Sequence, residues 1–205
     1  MKTESAHAAG DEACDFPTYR PYFPFATLKC VGRPLYRSRD AREYACLLDL
    51  DPSVLTWRCL THAVTDDIGV RRYFVDFAVE TYDGHLLVEV WTSSAGDTQW
   101  ITATAECFGY RYQAVLMPEL RKWPRLQNAR DLLRYAGWDT PLGDRIRILA
   151  TLDEMGTLTL AECLSAVREG RPMQTVASMI LSGVLEVDLD NALLGPDTVV
   201  RRGQN

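Results

Sequence analysis

The stretch RRYFVDFAVETYDGHLLVEVW, residues 71–91, decides how this chain folds. Its first half alternates, with Phe74, Asp76, Ala78 and Glu80 on one face of an extended strand and Tyr73, Val75, Phe77 and Val79 on the other. Asp83-Gly84 is a two-residue hairpin signal. The run HLLVEVWT then reads as the returning strand, buried on both faces for part of its length. Each strand offers a carboxylate, Asp76 and Glu89, which by composition alone read equally well as exposed strand residues. Glu80 and Asp83 read as solvated.

Working outward, DAREYACLLDL predicts a helix capped by Ser38 or Asp40, with Tyr44, Leu47 and Leu48 on its apolar face and Asp51-Pro52 as its stop. SVLTWRCL is a strand-like run between this helix and the central pair. After the pair come a helix around 97–107, a strand RYQAVLM and a helix LQNARDLLRYAG. The order α-β-β-β-α-β predicts an α/β domain, a mixed sheet flanked by helices, over residues 16–138. Thr140-Pro141 marks a boundary and a helix start. GDRIRILATLDEM (Ile146, Leu149 and Leu152 inward, Gly156 as stop), TLAECLSAVRE and PMQTVASMILSG then read as three short helices. VLEVDL and TVVRR, with a turn at Asp190-Asn191, read as a two-stranded ribbon. Three helices and a ribbon predict a small winged-helix domain over 140–202.

Composition sets the outer limits. With 47% hydrophobic and 24% charged residues, the 205-residue chain can bury one large core or two small ones. No apolar run is long enough to span a bilayer, and residues 1–15 lack a secretory h-region, so they are expected to be a disordered tail of a cytoplasmic protein. Cys14, Cys30, Cys46, Cys59, Cys107 and Cys163 form no zinc spacing and are expected to be mostly buried free thiols. A net charge of −6 argues against coating nucleic acid by charge alone. Lysine is confined to Lys2, Lys29 and Lys122, so positive charge is nearly all arginine.

Carboxylates on two adjacent strands can converge on one hard cation, a third coming from a packed helix, here Glu43. Such an ion polarises a phosphate and acidifies an attacking water. The pattern of a helix Glu43, the Asp51-Pro52 turn, the basic-aromatic strand with Asp76, Asp83-Gly84 and the Val-Glu-Val strand resembles the catalytic domain of the TnsA-like endonuclease family, the strand-cutting subunits of heteromeric transposases. The resemblance covers roughly residues 36–202. It implies a restriction-endonuclease-like fold in which Glu43, Asp76 and Glu89 are catalytic ligands of Mg²⁺ or Mn²⁺. Val75 departs from the family's proline, and Trp91 stands where the family has lysine.

That lysine presents positive charge beside the attacking water and the phosphate; an indole N–H cannot. Lys29 and Lys122 are the available lysines, and Arg42 or Arg72 could stabilise charge but are poor proton acceptors. The resemblance therefore implies a DNA-transaction protein degenerate as a nuclease, binding DNA or a transposase or recombinase partner. The alternative is an active metal-dependent endonuclease nicking at transposon ends. For DNA contact the third helix of the C-terminal domain offers Gln174, Thr175 and Ser178 to base edges, and Arg171, Arg201 and Arg202 to the backbone. An arm with Tyr19, Tyr22, Phe23 and Phe25 interleaved with Arg20, Arg33 and Arg37 offers either a second nucleic-acid contact or a segment packed on its own domain.

Overall fold

The computed structural model describes residues 26–65, 72–93 and 98–203. Expectations for the tail and for Tyr19, Arg20, Tyr22, Phe23 and Phe25 lie outside these. The first half is mixed α/β. Helix α1 (Arg39–Leu50) leads into strand β1 (Val54–Cys59) and a two-residue pair, β2 (Val64–Thr65) with β3 (Arg72–Tyr73). Strands β4 (Phe77–Thr81) and β5 (Gly84–Trp91), helix α2 (Gln99–Cys107), strand β6 (Tyr110–Leu116) and helices α3 (Met117–Leu120) and α4 (Pro124–Leu133) follow. The sheet has the order β1-β4-β5-β6. Its first two pairings are antiparallel and β5–β6 is parallel, with α2 as the crossover.

Apolar residues cover both faces of this sheet. Phe77, Val79, Val88 and Val90 pack with Ala41, Ala45 and Leu48 of α1. Ala78 and Leu87 pack on the other face with Ile101 and Ala105 of α2. The apolar part of the buried stripe of α1 is thus Ala41, Ala45, Cys46 and Leu48, while Tyr44 and Leu47 stay half-buried. Ser38 caps α1, its hydroxyl accepting from the Ala41 N–H at 3.0 Å.

Two expectations for the central segment are corrected. The alternation does not run unbroken from Tyr73 to Val79, because residues 74–76 leave the pleat between β3 and β4; Val75 consequently packs with Ala78 and Leu87 rather than with Phe77 and Val79. The hairpin turn is Tyr82-Asp83, since Thr81 pairs with Gly84. Gly84 supplies the positive φ (125°) just after it, and the Thr81 hydroxyl braces the turn by donating to the Gly84 carbonyl at 2.8 Å.

The second half contains α5 (Leu142–Met155), β7 (Leu158–Thr159), α6 (Leu160–Ala166), α7 (Pro172–Leu181), β8 (Leu185–Val187) and β9 (Val199–Arg202). Its core joins Ile148, Leu152, Leu158, Cys163, Val176, Met179, Leu185 and Val200. The ribbon gains a third strand, in the order β7-β9-β8, and residues 188–198 form a long loop rather than a tight turn. Ile146 is 58% exposed, because Ile148 takes the inward position. Pro141 is the N-cap of α5, while the Thr140 hydroxyl donates to the Thr175 carbonyl. Thr159 and Glu162 form a reciprocal capping box on α6.

The halves are joined through Asn128. Its amide donates to the Leu189 and Ala192 carbonyls at 2.9 and 2.8 Å, and its oxygen accepts from the Leu194 N–H at 2.9 Å. Helix α7 packs against α4, α6 and β8. Among the described residues no helix is long and apolar enough to cross a membrane. Cys46 and Cys163 are buried free thiols, and Cys107 is an exposed one.

Candidate functional site

Asp76 lies just before β4, and its backbone is already engaged: its N–H donates to the Val88 carbonyl and its carbonyl accepts from Leu60. This fixes the carboxylate against β5, where Oδ2 accepts from the Val90 N–H at 2.7 Å. Arg37, from the segment preceding α1, reaches across 39 residues of sequence and grips the same carboxylate with a two-pronged fork. Nε donates to Oδ1 and Nη2 to Oδ2, both at 3.0 Å. Arg37 Nη1 donates to the Phe74 carbonyl at 2.9 Å. Nη2 also lies 3.3 Å from Oε1 of Glu89, so one guanidinium is shared by both strand acids.

Glu89 stands on the face of β5 that carries Leu87, away from α1. Its Oε2 accepts from the hydroxyls of Tyr73 at 2.8 Å and Tyr112 at 2.6 Å. Burial, reinforced by the hydrogen bond to Glu89, raises the pKa of both phenols, so they remain protonated donors. Burial also raises the Asp76 pKa against the opposing pull of Arg37 and the Val90 N–H. Arg37 loses hydration, yet its bonds to Asp76 and Glu89 raise its pKa and keep it cationic.

Glu43 is buried on α1 and belongs to a different cluster. Oε1 accepts from Arg39 Nε at 3.1 Å; Oε2 accepts from Arg121 Nε and Nη2 at 3.0 and 2.8 Å. Arg121 also binds Asp40. Burial would raise the Glu43 pKa, but Arg121, Arg130 and Arg39 outweigh it and the net shift is downward. These groups line a cleft of about 450 Å³ that also includes the exposed Trp123.

The structure thus brings Asp76 and Glu89 together and leaves Glu43 with other partners. Among the described residues no group of three or more His, Cys, Asp and Glu is arranged to hold a metal ion. The donor set does not fit a divalent cation as it stands, because every carboxylate oxygen of Asp76, Glu89 and Glu43 already accepts from an N–H or O–H group. Trp91 ends β5 half-buried, in register with Leu116. Lys29 donates through Nζ to the Asp51 carbonyl at the C-terminal end of α1, and Lys122 is exposed. Arg72 lies over the Phe74 ring, 6.0 Å from its centroid.

In the second half Thr175 is fully buried, so it presents nothing to a base edge. Ser178 donates its hydroxyl to the Trp138 carbonyl at 2.6 Å, and Gln174 is half-buried. Arg202 is paired with Asp153, while Arg171, stacked near Trp138, and Arg201 are exposed. Sequence reasoning passed over Tyr73, Tyr112 and Arg121, and treated Arg37 as one residue of an arm. The available signal was the conflict itself: two buried strand acids in a chain almost without lysine require an arginine beside them. Compared with protein-family models and with curated proteins, the sequence gives no match.

Proposed function

We propose that this chain is a TnsA-like DNA-transaction protein, a restriction-endonuclease-like domain followed by a winged-helix domain. In this reading it is degenerate as a nuclease and acts by binding DNA or a transposase or recombinase partner. One observation carries the loss of catalysis: the charge facing Asp76 and Glu89 is the guanidinium of Arg37, and Trp91, two residues beyond Glu89, brings none. A permanently protonated guanidinium can stabilise charge but does not take up a proton from water. The mixed sheet and the order α5-β7-α6-α7-β8-β9 support the two-domain reading.

The exposed Arg171 and Arg201 are the groups best placed to meet phosphate. The test combines plasmid nicking in Mn²⁺ with a gel shift on duplex DNA, for the wild type, Asp76→Asn and Arg171→Ala/Arg201→Ala. The expected result is no nicking, and a salt-sensitive shift that survives Asp76→Asn and weakens in the double arginine variant. Metal-dependent nicking lost in Asp76→Asn would establish the active endonuclease instead. Absence of any shift would remove DNA as the ligand.

A further inference from the structure

We propose that the cleft between α1 and the start of α4 binds an unpaired nucleotide, its base laid on the Trp123 indole and its phosphate held by Arg39, Arg121 and Arg130. These four side chains line one cleft of about 450 Å³, within the range of about 300–1,000 Å³ usual for small-molecule sites. Asp40 and Glu43 lie buried at its base, whereas the Arg39 and Arg121 side chains are 68% and 42% exposed. Positive charge therefore faces outward and negative charge inward. Three guanidinium groups against two carboxylates leave one net positive charge, which a phosphodiester matches. The carboxylates also orient the cations: Glu43, kept anionic by its lowered pKa, engages Arg39 through Nε and Arg121 through Nε and Nη2. Both Nη groups of Arg39 and Nη1 of Arg121 are left without an acceptor among the described residues. Arg130 has no hydrogen-bond partner among them either, and acts on Glu43 through its charge alone.

The aromatic surface is placed by the sequence Lys122-Trp123-Pro124. Pro124 opens α4, and Trp123 just outside it has extended backbone (φ −97°, ψ 141°), a side chain that caps nothing and 63% exposure. An indole face stacks on any base and guanidinium forks fit phosphate oxygens, so together they recognise a nucleotide without reading its sequence. In a duplex the base faces are already stacked on one another, which restricts the cleft to unpaired strands or free nucleotides. The assignment stands apart from the contacts proposed for Arg171 and Arg201, and it does not depend on the chain being TnsA-like.

The experiment is fluorescence anisotropy of a labelled oligothymidylate of about ten nucleotides, titrated with the full chain from about 50 mM salt upward. Wild-type protein is expected to bind it, Trp123→Leu to bind about tenfold more weakly, and Trp123→Tyr to recover most of the loss. Arg130→Gln should weaken binding and flatten the slope of log affinity against log salt by about 0.7, the share of one phosphate contact on a single strand. Thermal unfolding should coincide for all of these, since Trp123 caps nothing and Arg130 has no bonded partner, so lost binding is not lost folding. Competition with thymidine monophosphate identifies the source: tighter binding of the strand marks an unpaired stretch, equal binding a free nucleotide, and both support the assignment. It is overturned if the oligonucleotide does not bind, or binds undiminished to both Trp123→Leu and Arg130→Gln. A duplex of equal length binding as tightly would also overturn it, as would a phosphotyrosine peptide displacing the strand better than thymidine monophosphate does. Arg171→Ala/Arg201→Ala should bind the single strand as wild type does, so failure here and failure of the duplex gel shift are separable.

Discussion

Asp76 in the first half of the molecule and Asp144 in the second are both buried acids, satisfied by opposite means. Asp144, on α5, is fully buried and accepts from the backbone N–H groups of Arg168, Glu169 and Gly170, and from Arg147 Nη1. Burial pushes its pKa up, but these donors together bring it below the ordinary range. Asp76 has one backbone donor and relies on the Arg37 guanidinium, and there burial prevails and the pKa rises. A carboxylate enclosed by main-chain N–H groups is part of the fold. One held chiefly by a single long side chain rests on a contact that one substitution removes.

The comparison can be broken most forcefully at Asp144. Asp144→Ala strands three backbone donors and is expected to cost about 4 kcal/mol in urea unfolding. A loss below about 1 kcal/mol would mean that water replaces the carboxylate readily. Next in size is Gly170→Ala. An added Cβ would meet the Thr175 hydroxyl at 2.4 Å and an Asp144 oxygen at 3.2 Å. The expected loss is about 2 kcal/mol, from overpacking in a loop whose buried neighbours have little room to move. Thr175→Ser/Gly170→Ala, retaining the hydroxyl but freeing its rotamer, should regain part of it.

The smallest effect is in the acid limb of stability, and it separates the two sites by sign. Asp144 and Glu43 have lowered pKa values, so the stability they lend is complete above the ordinary carboxylate range and is lost as pH falls through it and below. Asp76 and Asp49 have raised values, and burial is the leading cause in each. Their protonation on acidification relieves a penalty. Midpoints of urea unfolding between pH 3 and pH 7 should therefore fall less steeply in Asp144→Asn than in wild type, and more steeply in Asp76→Asn. Equal slopes in both variants would contradict these shifts.

Much of the fold was legible because it depends on short-range pattern. The capping serine of α1, the apolar run of β5 and the stop at Gly156 each follow from a few adjacent residues. Errors arose where a distant partner overrode the pattern. Residues 74–76 bend out because Asp76 bonds to Leu60 and Val88 on either side, and Ile146 gives way to Ile148 because the second core lies on that side of α5. The site was half legible. Asp76 and Glu89 could be paired from their strands, but their partner lies 39 residues before one and 52 before the other. Glu43 could not be separated from them without knowing that α1 covers the opposite face of the sheet from Glu89 and that Arg121 reaches it across 78 residues. The separation of Thr175 from solvent likewise depends on how α7 packs, which its own composition does not disclose.

The side chain of Asn128 behaves as a short piece of strand edge, offering two donors and an acceptor to backbone groups 61 to 66 residues further along the chain. The seam between the halves is therefore written partly in main-chain polarity. Neither half alone can complete its own set of hydrogen bonds there, and a chain divided near residue 140 would leave the loop after β8 asking water for what Asn128 now supplies.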